Sequence, residues 1–137
     1  MRPSVLADFA RRLQADYRST LNNFLALQVL HDSSARQTLK QLAPQLFARG
    51  EPHPDVLGGG LTVLETSDLR AELPALKLPT LVIHDDRDAL TPVTAGRWMA
   101  ENLQGSRYLE LPGAAHAPFL SHAGEVRQAL TEFLVHA

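Results

Sequence analysis

Two short apolar runs near the C-terminal end do most to limit what this chain can become. Pro79-Thr80-Leu81-Val82-Ile83-His84 is brief and rich in β-branched residues, which reads as a strand buried on both faces. Arg107-Tyr108-Leu109-Glu110-Leu111 alternates like a second strand. Between them Pro92 to Leu103 reads as a helix, with Pro92 in its first turn, Trp98, Met99 and Leu103 on one side, and Gly105 placed to end it. Strand, helix, strand in that order predicts a parallel pair with a right-handed crossover. Two parallel strands cannot cover their own faces, so the pair reads as one end of a larger sheet. Glu125 to His136 adds a last helix, with Val126, Leu130, Phe133 and Leu134 apolar.

The part before residue 67 reads differently. Val5, Leu6, Phe9, Leu13, Tyr17, Leu21, Phe24 and Leu25 recur at helical steps and predict one helix over residues 4–30, with Pro3 in its first turn. A second helix is expected to start near Asp32-Ser33-Ser34, good caps, and to carry Leu39, Leu42 and Leu46, with Pro44 kinking or ending it. After the loop at Gly50–Pro54, Asp55 is placed to cap a third helix from Val56 to Glu65, weakened by Gly58, Gly59 and Gly60.

At 137 residues and 45% hydrophobic the chain has a one-domain length and an ordinary globular composition. It holds no run of ~18 apolar residues for a membrane span, no signal-peptide pattern, and no cysteine for disulfide or thiolate chemistry. A cytoplasmic setting fits. The net charge of −2 hides an asymmetry: residues 1–50 balance at +4 and residues 51–137 at −6. A basic first segment suggests an acidic partner, although a solvated helix face would carry the same residues.

The chemistry gathers at the strand ends. Asp85-Asp86-Arg87-Asp88 follows the first strand and His116 follows the second. Ligands of open α/β sheets bind at the carboxyl ends of strands. An acid and an imidazole on neighbouring parallel strands can meet there, the acid holding the imidazole in one tautomer and stabilising its protonated form. The plainer account is a capping Asp cluster and a loop histidine without a role. A calcium loop counted from Asp86 fails, with Thr91 at the sixth position and Arg97 at the twelfth, so no metal site is expected from Asp85, Asp86, Asp88 and His84. Gly58-Gly59-Gly60 lacks the Gly-Lys-Ser/Thr ending of a phosphate loop.

Pro79-Thr80-Leu81-Val82-Ile83-His84-x-x-x-Asp88-x-x-x-Pro92 and Pro112-Gly113-Ala114-Ala115-His116-Ala117-Pro118-Phe119 resemble the acid and histidine segments of α/β-hydrolases. Asp85 departs from the pattern, which usually has Gly there, and implies a slightly different turn out of the strand. Phe24-Leu25-Ala26-Leu27-Gln28, Ala35-Arg36-Gln37, Asp55-Val56-Leu57-x-Gly59-Gly60-Leu61, Asp68-Leu69-Arg70 and His116-Ala117-Pro118-Phe119-x-Ser121-His122 narrow the resemblance to the pimeloyl-[acyl-carrier protein] methyl ester esterases. The resemblance runs from their helical lid to their C-terminus. It implies the C-terminal portion of an α/β-hydrolase fold, with residues 1–66 as lid and residues 67–137 as the closing βαβα part of the core.

The same resemblance implies a carboxylesterase that frees the carboxylate needed later in biotin synthesis. Asp88 and His116 would be acid and histidine of its triad, and Phe24 and Leu90 walls of an acyl site. Arg36 and Lys40, four apart on one helix face, would be contacts for the acidic carrier protein. The chemistry calls for no cofactor, metal, nucleic acid or membrane. A serine esterase also needs Gly-x-Ser-x-Gly on a strand-to-helix elbow, and none of the serines sits in such a motif. Ser121 reads as a helix cap. The chain is therefore expected to be a truncated esterase, inactive by itself. The alternative is a catalytically inactive fragment that binds the carrier protein.

Overall fold

In the computed structural model residues 3–30, 35–48 and 50–136 are described. The elements are α1 (Pro3–Ala15), α2 (Tyr17–Gln28), α3 (Ala35–Leu46), α4 (Pro54–Thr66), a 3-10 turn at Leu73–Ala75, β1 (Leu81–Asp85), α5 (Val93–Asn102), β2 (Arg107–Leu111), α6 (Pro118–Ser121) and α7 (Ala123–His136). β1 and β2 pair in parallel, with Leu81 opposite Arg107 and Asp85 opposite Leu111. The strand–helix–strand–helix order of the second half is as the sequence predicts, and the chain ends of both strands lie at one edge.

The first half corrects the sequence reading. The single helix expected over residues 4–30 is two, broken at Asp16. Asp16 is extended (φ −149°, ψ 91°) and its carboxylate accepts a hydrogen bond from the Ser19 N–H at 3.0 Å, so a new helix is capped there. The break folds the apolar stripe back on itself: α1 packs against α2 and α4, with Leu6, Leu13, Leu25 and Val29 buried. α3 runs to Leu46 through Pro44, whose missing N–H costs one hydrogen bond near the end of the helix. The proposed caps Asp32, Ser33 and Ser34 lie outside the described residues. α4 is capped by His53, whose Nδ1 accepts from the Asp55 N–H, with Pro54 in the first turn; Asp55 is inside the helix and does not cap it.

Leu111, Ala114 and Val126 form a small core with Ile83 and Leu109 between the strand pair and α7. Beyond Val126 the apolar stripe of α7 is uncovered: Leu130 and Leu134 are exposed. This is the expected condition of a two-stranded parallel sheet that shields little of its own surface. α5 lies on β1 at Gly96, which is buried against His84; a Cβ there would come within 2.5 Å of the His84 ring. Gly96→Ala is expected to cost about 1–3 kcal/mol, read as a drop in the urea midpoint with unchanged slope. A loss below a few tenths would show that the helix can lift away from the strand.

Candidate active site

The acid loop leaves β1 at Asp85 and the histidine loop leaves β2 at Leu111, so parallel pairing alone brings them side by side. Three links then fasten them. The Asp86 carboxylate accepts from the Gly113 N–H at 2.7 Å, the Arg87 N–H donates to the Ala114 carbonyl at 3.3 Å, and His116 Nδ1 meets Asp88 Oδ2 at 2.8 Å. Gly113 takes φ +79°, the left-handed conformation that turns the chain from β2 toward the acid loop without a Cβ penalty.

The Asp88 side chain is nearly enclosed, 2% exposed, and both oxygens are engaged. Oδ1 accepts the backbone N–H groups of Leu90 and Thr91, at 2.7 and 3.0 Å. Oδ2 accepts the Thr91 hydroxyl and His116. Burial pushes this carboxyl up, but the bonds from His116, the Thr91 hydroxyl and the two N–H groups outweigh it and hold Asp88 below the usual carboxylate range. An ionised carboxylate has no proton to give, so the shared proton belongs to Nδ1 of His116. That leaves Nε2 with its lone pair, and the ring is 36% exposed. Such a histidine can take a proton from a nucleophile and return it to a leaving group.

A cavity of about 290 Å³ borders the pair, lined by Ile83, Asp85, Asp88, Thr91, His116 and Phe119 among others. Asp85, which the sequence suggests only as a changed turn, is a buried carboxyl at 3% exposure, and its Oδ1 has no hydrogen-bond partner. Burial and the neighbouring Asp88 charge push it up to about 6, against the opposing pull of His84 and His116. Atoms of His84, Asp85 and Asp88 lie within 4.8 Å of one another. The donor set is poor for a cation, because His84 Nδ1 is held by the Asp85 backbone and Asp88 is saturated by its four donors. Asp86 turns away to Gly113.

Phe24 and Leu90, 66 positions apart in sequence, line one apolar cavity of about 390 Å³ with Leu6, Phe9, Leu61 and Leu64. The rings of Phe24 and Phe9 pack at 5.1 Å between centroids. Ala89 and Leu90, the two residues that follow Asp88, form part of its wall, so the cavity adjoins the acid loop. Arg36 and Lys40 are both exposed on α3, away from this cluster of side chains in sequence and not among the residues lining either cavity. Ser121 ends α6 and its hydroxyl meets His122 Nδ1 at 2.9 Å, so it caps no helix. Among the described residues no serine hydroxyl is hydrogen-bonded to His116. Thr91 and the Asp86–Gly113 link escape a reading of motifs. The spacing Asp88-x-x-Thr91, an Asp with a hydroxyl three residues on, is the local signal for the first.

The parallel pair, the crossover helix and the acid–imidazole bond at the strand ends define part of an α/β-hydrolase. Solved structures agree on the fold. An esterase from Exiguobacterium antarcticum superposes with a TM-score of 0.82 at 22% identity, covering 97% of this chain and 48% of that one. The enol-lactonase from Burkholderia xenovorans LB400 gives 0.82 at 23% identity, covering 98% and 51%. Residues 59–137 match the TAP-like protein family, and the chain belongs to it.

Similarity extends further along the chain than that match. The pimeloyl-[acyl-carrier protein] methyl ester esterase of Xanthomonas axonopodis pv. citri is 43% identical over 130 residues, 95% of this chain and 51% of that protein. The protein of the same name from Chromobacterium violaceum is 42% identical over 125 residues, 91% and 48%. The chain thus spans about half the length of the curated relatives it matches. Among the described residues no helix is long and apolar enough to cross a membrane.

Proposed function

We propose that this chain supplies the acid and the histidine of a serine carboxylesterase that hydrolyses the methyl ester of pimeloyl-[acyl-carrier protein], in the cytoplasm, as a step toward biotin. The observation that carries the reading is the 2.8 Å bond from His116 to a buried, saturated Asp88 at the carboxyl ends of two parallel strands. The substrate class rests on similarity to the pimeloyl-[acyl-carrier protein] methyl ester esterases and on the apolar cavity that adjoins the acid loop at Ala89 and Leu90. In this reading residues 1–66 form the lid, with Phe24 and Leu90 walling the acyl chain and Arg36 and Lys40 steering the acidic carrier protein. Such contacts act mainly on association and weaken with salt.

His116 Nε2 would take the nucleophile's proton during acylation and give it to departing methanol, while Asp88 stabilises the imidazolium between the two events. The nucleophile is a serine that this sequence does not present in a Gly-x-Ser-x-Gly setting. The purified chain is expected to release no methanol from pimeloyl-[acyl-carrier protein] methyl ester above a His116→Ala control. Adding the nucleophile-bearing half of a relative is expected to restore release that the His116→Ala chain cannot support. Carrier binding without restored release would favour the alternative of an inactive carrier-binding fragment.

A further inference from the structure

Asp85 is the last residue of β1, and side chains two apart on a strand share a face, so it points to the same side as Ile83. Ile83 packs on Leu111, Ala114 and Val126, which leaves the Asp85 carboxyl at the end of an apolar face. A buried carboxyl is costly there without partners. Its Oδ1 bonds to nothing, and among the described residues no arginine or lysine forms an ion pair with it. The α/β-hydrolase pattern that the acid loop otherwise resembles usually has Gly at this position, so the turn out of the strand does not call for a carboxylate.

The surroundings of this charge are those of the acid–imidazole pair. A carboxylate oxygen of Asp85 lies within 4.8 Å of one of Asp88, whose Oδ2 is 2.8 Å from the His116 ring. Asp85 and His116 line the same cavity of about 290 Å³. The titratable groups that face Asp85 are His84 from its own strand, Asp88 from the acid loop and His116 from the histidine loop. α6 adds Pro118 and Phe119 and α7 adds Val126, none of which titrates. Burial and the Asp88 charge push Asp85 up to about 6, so it becomes an anion as pH rises through that value. Of the two facing rings, His116 is the one that becomes positive in the proposed reaction.

We infer that Asp85 is a positioning residue of this site, a second carboxylate that acts through His116 by favouring the protonated ring through which ester cleavage passes. This rests on the esterase reading above and deepens it. Asp88 decides which ring nitrogen carries the proton, because it is bonded to Nδ1. Asp85 contributes charge alone. At roughly 7 Å, and at an effective dielectric of roughly 35, one charge moves a protonation equilibrium about tenfold, or about one pH unit. The full effect needs an ionised Asp85 and is lost in acid, where that carboxyl is neutral.

The test uses the chain itself, since a titration needs no nucleophile. The histidine Cε1–H resonances are followed by NMR against pH in the chain, in Asp85→Asn and in Asp85→Gly, with His116 assigned through His116→Gln. The His116 midpoint is expected to fall by about 0.5–1 pH unit in both variants, the lower figure applying where the two groups titrate together. His53, which caps α4 and does not face Asp85, is expected to keep its midpoint. A His116 midpoint that moves by less than about 0.2 units overturns the inference, as does one that moves no more than that of His53. A fall in one variant alone traces to the new side chain or the altered turn and overturns it as well. If the fall appears in both variants but no nucleophile-bearing half restores methanol release, the esterase reading fails while the coupling of Asp85 to His116 stands.

Discussion

Asp88→Asn is expected to lower the turnover of the completed esterase about 10⁴-fold while changing KM by no more than a few-fold. The orientation of the new amide is dictated by the loop. Oδ1 of Asp88 accepts two backbone N–H groups, from Leu90 and Thr91, so the amide oxygen must stay there. Its NH₂ then faces His116, where the carboxylate now accepts from Nδ1. A donor at that point forces Nδ1 to accept and moves the ring proton to Nε2, the atom that has to take a proton from the nucleophile. Thr91 can rotate its hydroxyl to accept from the same NH₂, so the loop survives with its two backbone bonds. The check is steady-state kinetics, with the imidazole ¹⁵N shifts of His116 reporting the tautomer. A tenfold loss or less, or a His116 that keeps its proton on Nδ1, would remove Asp88 from the role given to it here.

How much of this was legible in the sequence depended on the range of the interactions involved. The strand pair and its crossover are read from local apolar patterning, and the acid and histidine follow because parallel pairing places both strand ends at one edge. The break at Asp16 is different. The apolar spacing continues through Tyr17 and Leu21 without a fault, and only a side-chain bond to Ser19 competes with the helix there. His53 as a cap is hidden for a related reason: a histidine ring is an uncommon acceptor at that position, and Asp55 nearby looked the better candidate. The apolar cavity walled by Phe9, Phe24, Leu61 and Leu64 is invisible because which faces of α1, α2 and α4 meet is settled by the fold-back after Asp16. The burial of Asp85 is likewise tertiary. Nothing in Asp-Asp-Arg-Asp distinguishes the two carboxyls that are enclosed, Asp85 and Asp88, from the one that turns to Gly113.

Asp85→Asn is expected to stabilise the chain by on the order of 2–3 kcal/mol near pH 7.5 and by little near pH 4. The folded protein holds the Asp85 proton up to about pH 6, against 3.8 for the ordinary carboxyl. Its folded form therefore binds more protons than its unfolded form between those values, and stability falls as pH rises from about 4 to 6. Above that window the full cost of a buried, poorly partnered charge beside Asp88 is present; below it the neutral carboxyl is nearly isosteric with Asn. Facing this carboxyl are Asp88 from the acid loop, His84 from its own strand and His116 from the histidine loop, while α7 presents the apolar Val126 to the same cavity. Urea unfolding of both proteins at the two pH values decides it. A gain of equal size at both would mean that Asn improves packing and that the charge is not penalised; no gain at pH 7.5 would mean that water reaches Oδ1. Under the mechanism proposed above, a negative charge that is costly to hold in the ground state would sit next to the ring that becomes positive during the reaction, where it would be best used.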